Sequence, residues 1–310
     1  WSARDALVLK MLASALADIL PSSCRCTHLK NHGGARHAVR EEMEHLPQHQ
    51  FVIRTDVKSY YASIDDHLLL GMLARYVKDR FVLNLLGQYL QRSVEHGGLY
   101  RQINRGISLG CPLSPVIAAF FLYALDNRMA QSNVCYVRFM DDVLVMAQTR
   151  WKLRKAVAVV NGELDKLKLE KHPDKTFIGR IDKGFDFLGY HINATTLHPA
   201  TTTVQKYWAN ISRLYEQGVS QERIEQYRRR WTGWCKGKLG DYLPPSFVVC
   251  RFPYGSPPEE TTYDCSASSR GDAEVGLGTY CAGAPPVDGS SGVGSRAGDG
   301  WSGAEPLVVN

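Results

Sequence analysis

The chain has 310 residues, of which 44% are hydrophobic and 22% charged, which excludes wholesale disorder and leaves room for one large domain or two to three packed subdomains. No run of apolar residues is long enough for a transmembrane helix, so no membrane partner is expected. The net charge of +6 is uneven: residues 252–310 carry two basic against eight acidic residues, leaving a body of +12 that suits a polyanion, nucleic acid first.

Residues 3–20 predict an amphipathic helix, with Leu7, Met11, Leu12, Leu16, Ile19 and Leu20 close to helical spacing and Pro21 ending it. Residues 28–34 read as a polar loop, and 36–46 as a second helix stopped by Pro47. Phe51, Val52 and Ile53 form a short strand leading into Asp56. Residues 66–92 carry two helical patterns with Asp66 as N-cap. Gly97-Gly98 and Gly106 mark loops around a hairpin. After Ser114-Pro115 an apolar helix runs through VIAAFFLYALDNRMA, with a Pro in its first turn. Val134 to Met140 and Val143 to Ala147 are strands, with Asp141-Asp142 as the turn between them. A helix over 151–169 turns Leu153, Val157, Val160, Leu164 and Leu167 to one side. Phe177-Ile178 and Phe185 to Ile192 are strands, and 203–238 is helical and strongly basic. The order points to an α+β fold, an antiparallel sheet backed by helices. Beyond about Pro244 the composition turns to Gly, Pro and Ser, so 244–310 is expected to be a disordered tail.

Eight cysteines (Cys24, Cys26, Cys111, Cys135, Cys235, Cys250, Cys265 and Cys281) follow no framework spacing. No signal peptide is readable, so reduced thiols and a cytoplasmic location are the default. Cys24, Cys26, His28 and His32 form either a metal cluster or a polar loop. Their spacing fits no common zinc pattern.

The sharpest chemical feature is Phe139-Met140-Asp141-Asp142 between two apolar strands. Adjacent carboxylates repel, which a divalent cation relieves; a solvated turn is the plain alternative. Asp56 after its strand is by itself a cap, a turn or a ligand. Together, one Asp after one strand and two on a later hairpin is the layout that sets three carboxylates side by side on a sheet. Such a set holds two Mg²⁺ ions about 3.5–4 Å apart for in-line phosphoryl chemistry.

Asp56-Val57-Lys58-Ser59-Tyr60-Tyr61-Ala62-Ser63-Ile64 resembles motif A of bacterial reverse transcriptases. Arg105-Gly106-Ile107-Ser108-Leu109-Gly110-Cys111-Pro112-Leu113-Ser114-Pro115 resembles motif B, and Tyr136-Val137-Arg138-Phe139-Met140-Asp141-Asp142 resembles motif C. Leu169 to Thr176 is similar to motif D, and Phe187-Leu188-Gly189-Tyr190 to motif E, the primer grip. The five stand in the family's order over residues 51–192, and the likeness is to the group II intron and retron branch.

The resemblance implies a right-hand polymerase: partial fingers over 1–50, a palm over 51–192 with a fingers-side insertion at about 66–105, and a helical thumb over 193–243. It implies an RNA-directed DNA polymerase that extends a DNA or RNA primer with dNTPs along an RNA template. Asp56, Asp141 and the Val57 carbonyl would ligate two Mg²⁺ ions, with Asp142 beside them. Tyr61 would lie under the incoming sugar and exclude a 2′-hydroxyl. Gly110 would shape the floor under template and nucleotide, and Lys175 would approach the pyrophosphate. The thumb aromatics Trp208, Tyr215, Tyr227, Trp231 and Trp234 either track the duplex or pack the thumb core.

Two positions depart from the family pattern: Leu109 stands where Gln is usual, and Phe139 where Tyr is typical. The chain opens on Trp1 and lacks the basic first fingers segment, leaving Lys30, Arg36 and Arg40 as cations nearby. It therefore reads as an N-terminal truncation, either poorly active or a nucleic-acid-binding protein that keeps the fold alone. A nuclease or cyclase on a similar palm would leave motifs B and E without a purpose.

Overall fold

The structure is a computed structural model, and it describes residues 1–236. The end of the basic helical region and the expected tail over 244–310 lie outside the described residues.

The first helix, α1 (Ala3–Ile19), starts where Ser2 and Asp5 cap each other's backbone N–H groups. Its buried residues are Leu9, Leu12, Ala13 and Leu16, whereas Leu7, Met11 and Ile19 are exposed. The buried stripe is thus rotated from the expected one, because a sequence rich in apolar residues on several sides leaves the choice of face to its packing partners. Helix α2 (Gly34–His45) follows the loop and ends in a 3₁₀ turn at Leu46–Gln48. Strand β1 (Phe51–Thr55) leads into the single-turn helix α3 (Tyr60–Ser63) and then α4 (Asp66–Leu73). The N-cap of α4 is Asp65, not Asp66: Asp65 accepts from Leu68 N–H, and Asp66 accepts from Gly106 N–H instead. After α5 (Arg80–Leu90) comes the exposed hairpin of β2 (Ser93–His96) and β3 (Leu99–Gln102).

The single apolar helix expected after Ser114 is two, α6 (Ser114–Phe121) and α7 (Tyr123–Ala130), broken at Leu122 with φ −95° and ψ 6°. Strands β4 (Cys135–Phe139) and β5 (Asp142–Ala147) form a hairpin, followed by α8 (Arg150–Lys166), which Thr149 caps. Beyond β6 (Phe177–Arg180), the expected strand Phe185 to Ile192 is itself a hairpin, β7 (Phe185–Phe187) and β8 (Tyr190–Ile192). It turns at Leu188 and Gly189, both with positive φ, which the expected continuous strand did not anticipate. β9 (Leu197–Pro199) pairs with β8, and the helical region divides into α9 (Thr201–Glu216) and α10 (Gln221–Lys236). Among the described residues no helix is long and apolar enough to cross a membrane.

The central sheet has the order β4-β5-β1-β6, antiparallel throughout. Its middle strands are nearly continuous apolar runs because both faces are covered. Ile53, Tyr136, Val143, Val145 and Ala147 face one way, into a core built with α1 and α4 to α8. Val52, Cys135, Val137, Leu144 and Met146 face the other, against Ala38, Val39 and Met43 of α2 and the small β7-β8-β9 sheet. Full burial of each such side chain contributes about 1.5–3 kcal/mol. A one-residue slip would swap the two sets, so the register is firmly set. This is the expected α+β, palm-like architecture, an antiparallel sheet covered on both faces.

Candidate active site

Thr55 of β1 stands opposite Val143 of β5, so the next positions along the two strands are Asp56 and Asp142. The β4–β5 ladder closes at Phe139 opposite Asp142. The turn is therefore Met140-Asp141, one residue earlier than the expected Asp141-Asp142. Asp142 keeps a place in the ladder, and Met140, at φ 55°, supplies the left-handed residue that a two-residue hairpin needs. The shift puts Asp141 at the tip.

The carboxyls of Asp56 and Asp141 lie within hydrogen-bonding reach of each other. Burial, then the bond to Asp56 and its charge, pushes Asp141 up to about 8. Asp142 is also raised, chiefly by burial, with Arg54 pulling the other way. The three carboxylates expected to converge from separate stretches of chain do so.

Two cations attend them. Lys175 Nζ donates to Asp56 Oδ2 at 2.6 Å, and Arg54 Nη2 donates to Asp142 Oδ1 at 3.0 Å. Arg54 also reaches the Lys175 carbonyl at 3.2 Å. Lys175 was expected near a pyrophosphate; here its ammonium is on the carboxylate itself. Sequence reasoning missed Arg54, although the period of two along β1 places it on the same side as Asp56.

The chain after Asp56 is held by motif D: His172 N–H donates to Asp56 O at 2.7 Å, and Lys58 N–H to Glu170 O at 2.9 Å. Neither bond uses the Val57 carbonyl, the atom implied as a ligand. Tyr61 is half-buried beside Asp141, and burial with that neighbouring carboxylate pushes its phenol up to about 12. Its carbonyl accepts from Ile107 N–H at 2.8 Å, joining motifs A and B. Gly106 makes that approach possible, since a Cβ there would stand 2.6 Å from the Tyr61 carbonyl oxygen. Gly110, at φ 73°, has open space around it, so its backbone conformation and not crowding calls for glycine. The neighbouring Leu109 is 80% exposed, an apolar side chain on an open surface.

The residues expected to form a primer grip divide by depth. Phe187 and Tyr190 are buried, while Leu188 and Gly189 form the half-buried tip. Tyr190 stacks on Trp234 with ring centroids 4.8 Å apart and donates to the Trp234 carbonyl at 3.1 Å. In α9 and α10, Tyr207 stacks on Trp231 and Tyr227, so these aromatics pack the helix pair.

Cys26 and His28, read as part of a loop or a metal cluster, face the interior beside Arg138, and Cys24 is exposed. Among the described residues no group of three or more His, Cys, Asp or Glu side chains is arranged to hold a metal by itself. The Asp56–Asp141 pair nevertheless fits a hard divalent cation. It offers oxygen donors only, and the burial and neighbouring Asp56 carboxylate that raise Asp141 are what a bound cation would offset. A cation that takes phosphate and water oxygens needs few ligands from the chain.

The sequence profile of the family described as "Reverse transcriptase (RNA-dependent DNA polymerase)" matches residues 5–192. Protein YkfC of Escherichia coli (strain K12) is 24% identical over 234 residues, covering 61% of this chain and 61% of that protein. The chain thus spans less than two thirds of the curated relative it matches. Among solved structures, telomerase from Candida albicans, in complex with a TWJ fragment of telomeric RNA, is 16% identical with a TM-score of 0.47, over 63% of this chain and 37% of that chain. Apo telomerase from Candida tropicalis is 14% identical with a TM-score of 0.45, over 63% and 39%. The profile match runs from α1 through β8 and takes in all five motifs around the carboxylates, and on that ground the chain belongs to the reverse transcriptase (RNA-dependent DNA polymerase) family.

Proposed function

We propose that this chain is the core of an RNA-directed DNA polymerase that adds deoxynucleotides to a primer 3′-hydroxyl, with residues 1–50 in the fingers, 51–192 as palm and the α9–α10 pair in the thumb. The observation that carries the reading is the meeting of Asp56 and Asp141 at the ends of adjacent strands, with the Tyr61 ring beside them. Asp56, Asp141 and the Val57 carbonyl would hold two Mg²⁺ ions. When bound, such ions lower the pKa of the 3′-hydroxyl and neutralise the triphosphate.

The chain's own residues do the rest. Arg54 pins Asp142 next to the pair and opposes the burial that raises it. Lys175 pairs with Asp56 and would approach the leaving pyrophosphate. Tyr61 lies under the nucleotide sugar as a steric filter, and Gly110 with its neighbours forms the floor. Leu188 and Gly189, at a rigid tip backed by Trp234, steady the primer strand. RNA is the template, and the basic surface of α9 and α10 follows the phosphates of the duplex.

The test is primer extension by the full-length protein on an annealed RNA template with dNTPs and Mg²⁺. Asp141→Asn should lower extension by about a thousandfold with folding intact. Tyr61→Ala should keep extension and admit ribonucleotides at least about tenfold more readily. Tight binding of primer–template without extension by the wild type would overturn the reading.

A further inference from the structure

The turn that carries Asp141 is held by more than its own ladder. Residues 25–27 run parallel to β4 as a short extra edge: Arg138 N–H donates to Arg25 O at 2.8 Å, and Thr27 N–H to Arg138 O at 2.9 Å. Cys26 is level with Arg138, so two residues further on His28 is level with Met140. There Met140 N–H donates to His28 Nδ1 at 3.0 Å, and His28 Nε2 lies 3.2 Å from the Pro115 carbonyl. An amide N–H can only donate and a carbonyl can only accept. Nδ1 must therefore be bare and Nε2 must carry the proton. Cys26 Sγ, 3.3 Å from Nδ1, agrees with this, because burial pushes that thiol up to about 11 and keeps its proton available to donate.

The other side of the same peptide is held as firmly. Arg138 Nη1 donates to the Met140 carbonyl at 2.7 Å. The guanidinium is fully buried, bonded to Asp126 through Nε at 2.7 Å and Nη2 at 2.5 Å, with Nη2 also reaching Ala119 O at 3.1 Å. Met140 has positive φ without being glycine, a conformation that persists only where its surroundings over-determine it. Burial, with the Arg138 charge adding to it, pushes His28 down to about 4, so the ring stays neutral near pH 7.

We propose that His28, as the neutral Nε2–H tautomer, is a positioning residue for Asp141: with Arg138 it clamps the left-handed Met140 peptide from both sides and ties the turn to the motif B segment at Pro115. The inference rests on reading Asp141 as the cation-binding carboxylate. The fingers-side loop thereby sets the aim of the palm's carboxylate without touching it. A change at residue 28 reaches the cation by tilting one peptide.

Full-length protein labelled with ¹⁵N-histidine reports the tautomer directly by NMR, and Mn²⁺ titration followed by EPR reports the carboxylate pair without any turnover. His28 should show a bare Nδ1 and a protonated Nε2 throughout pH 6–8. His28→Leu should weaken Mn²⁺ binding by about tenfold or more, the range expected when an outer support of a metal site is lost. His28→Asn, whose Oδ1 can accept from Met140 N–H, should restore binding to within about threefold of wild type. A protonated Nδ1, or Leu and Asn variants that bind Mn²⁺ equally, overturns the proposal; if the Leu variant fails to fold, the tautomer and the Asn variant decide. A wild type with the stated tautomer that neither binds Mn²⁺ nor extends a primer overturns the polymerase reading and upholds the clamp.

Discussion

Two tight hairpins of this molecule each turn on a non-glycine residue at positive φ, and they are held in different ways. The β4–β5 turn, Met140-Asp141, has its positive φ on a non-glycine residue and is held by polar groups, His28 on the N–H and Arg138 on the carbonyl. The β7–β8 turn, Leu188-Gly189, has both residues at positive φ; the Gly189 carbonyl accepts from Ala200 N–H and from the Thr203 hydroxyl, both at 2.9 Å, and the Trp234 ring lies against it. A turn that presents a carboxylate cannot be packed against a ring without burying the charge still further. Directional hydrogen bonds hold it while leaving the carboxyl free for a cation. A turn that presents only backbone and an aliphatic side chain can combine neutral hydrogen bonds on its carbonyl with apolar contact to a ring.

The comparison breaks most readily at Arg138. Arg138→Met leaves Asp126 buried without its partner, and chemical denaturation should show a loss of about 3–5 kcal/mol. If the loss were below about 1 kcal/mol, the polar clamp would not be a stabilising device. Gly189→Ala tests the second hairpin: φ is 85° and a Cβ would stand 3.2 Å from the Trp234 ring and 3.3 Å from the Thr203 hydroxyl. The cost should be about 1–3 kcal/mol in the same measurement, with Trp234 fluorescence shifted as the ring gives way. Met140→Gly relieves the left-handed strain and should change stability by about 1 kcal/mol or less, while weakening Mn²⁺ binding if the turn loosens.

The smallest effect sharpens the contrast with a polar group that no hydrogen bond serves. Glu42 is fully buried on the α2 face, with neither carboxyl oxygen bonded to any described group, and burial raises it well above the usual carboxylate value. Between the unfolded value of about 4.3 and that raised value, the folded chain holds one more proton than the unfolded chain. This contribution is fully present below the unfolded value and is lost as pH rises through the folded one. Glu42→Gln should therefore flatten the decline of the urea midpoint between pH 5 and pH 8, and leave stability at pH 4 nearly unchanged.

Much of the site was legible in residue order. Asp56 follows an apolar strand and Asp141 and Asp142 interrupt two more, so their places at strand ends could be read, whereas the pairing of β1 with β5 makes those ends neighbours. Period-two alternation along β1 could have found Arg54. The clamp was not legible: His28 and Met140 are 112 residues apart and meet only because residues 25–27 add a parallel edge to β4. The turn register was misjudged by one because Asp suits a turn as well as a ladder end. Pairing of Phe139 with Asp142 decides between them.

By itself the amino-acid order determined the class of the protein, the strands of its central sheet and which carboxylates stand at their ends, because local propensity and motif spacing are properties of the chain. Tertiary structure decided which face of α1 is buried, where the apolar helix breaks, which way the aromatics of α9 and α10 turn, and which groups surround the turn that carries Asp141. Those outcomes depend on contacts between distant segments, whose energies are comparable to the local preferences they override.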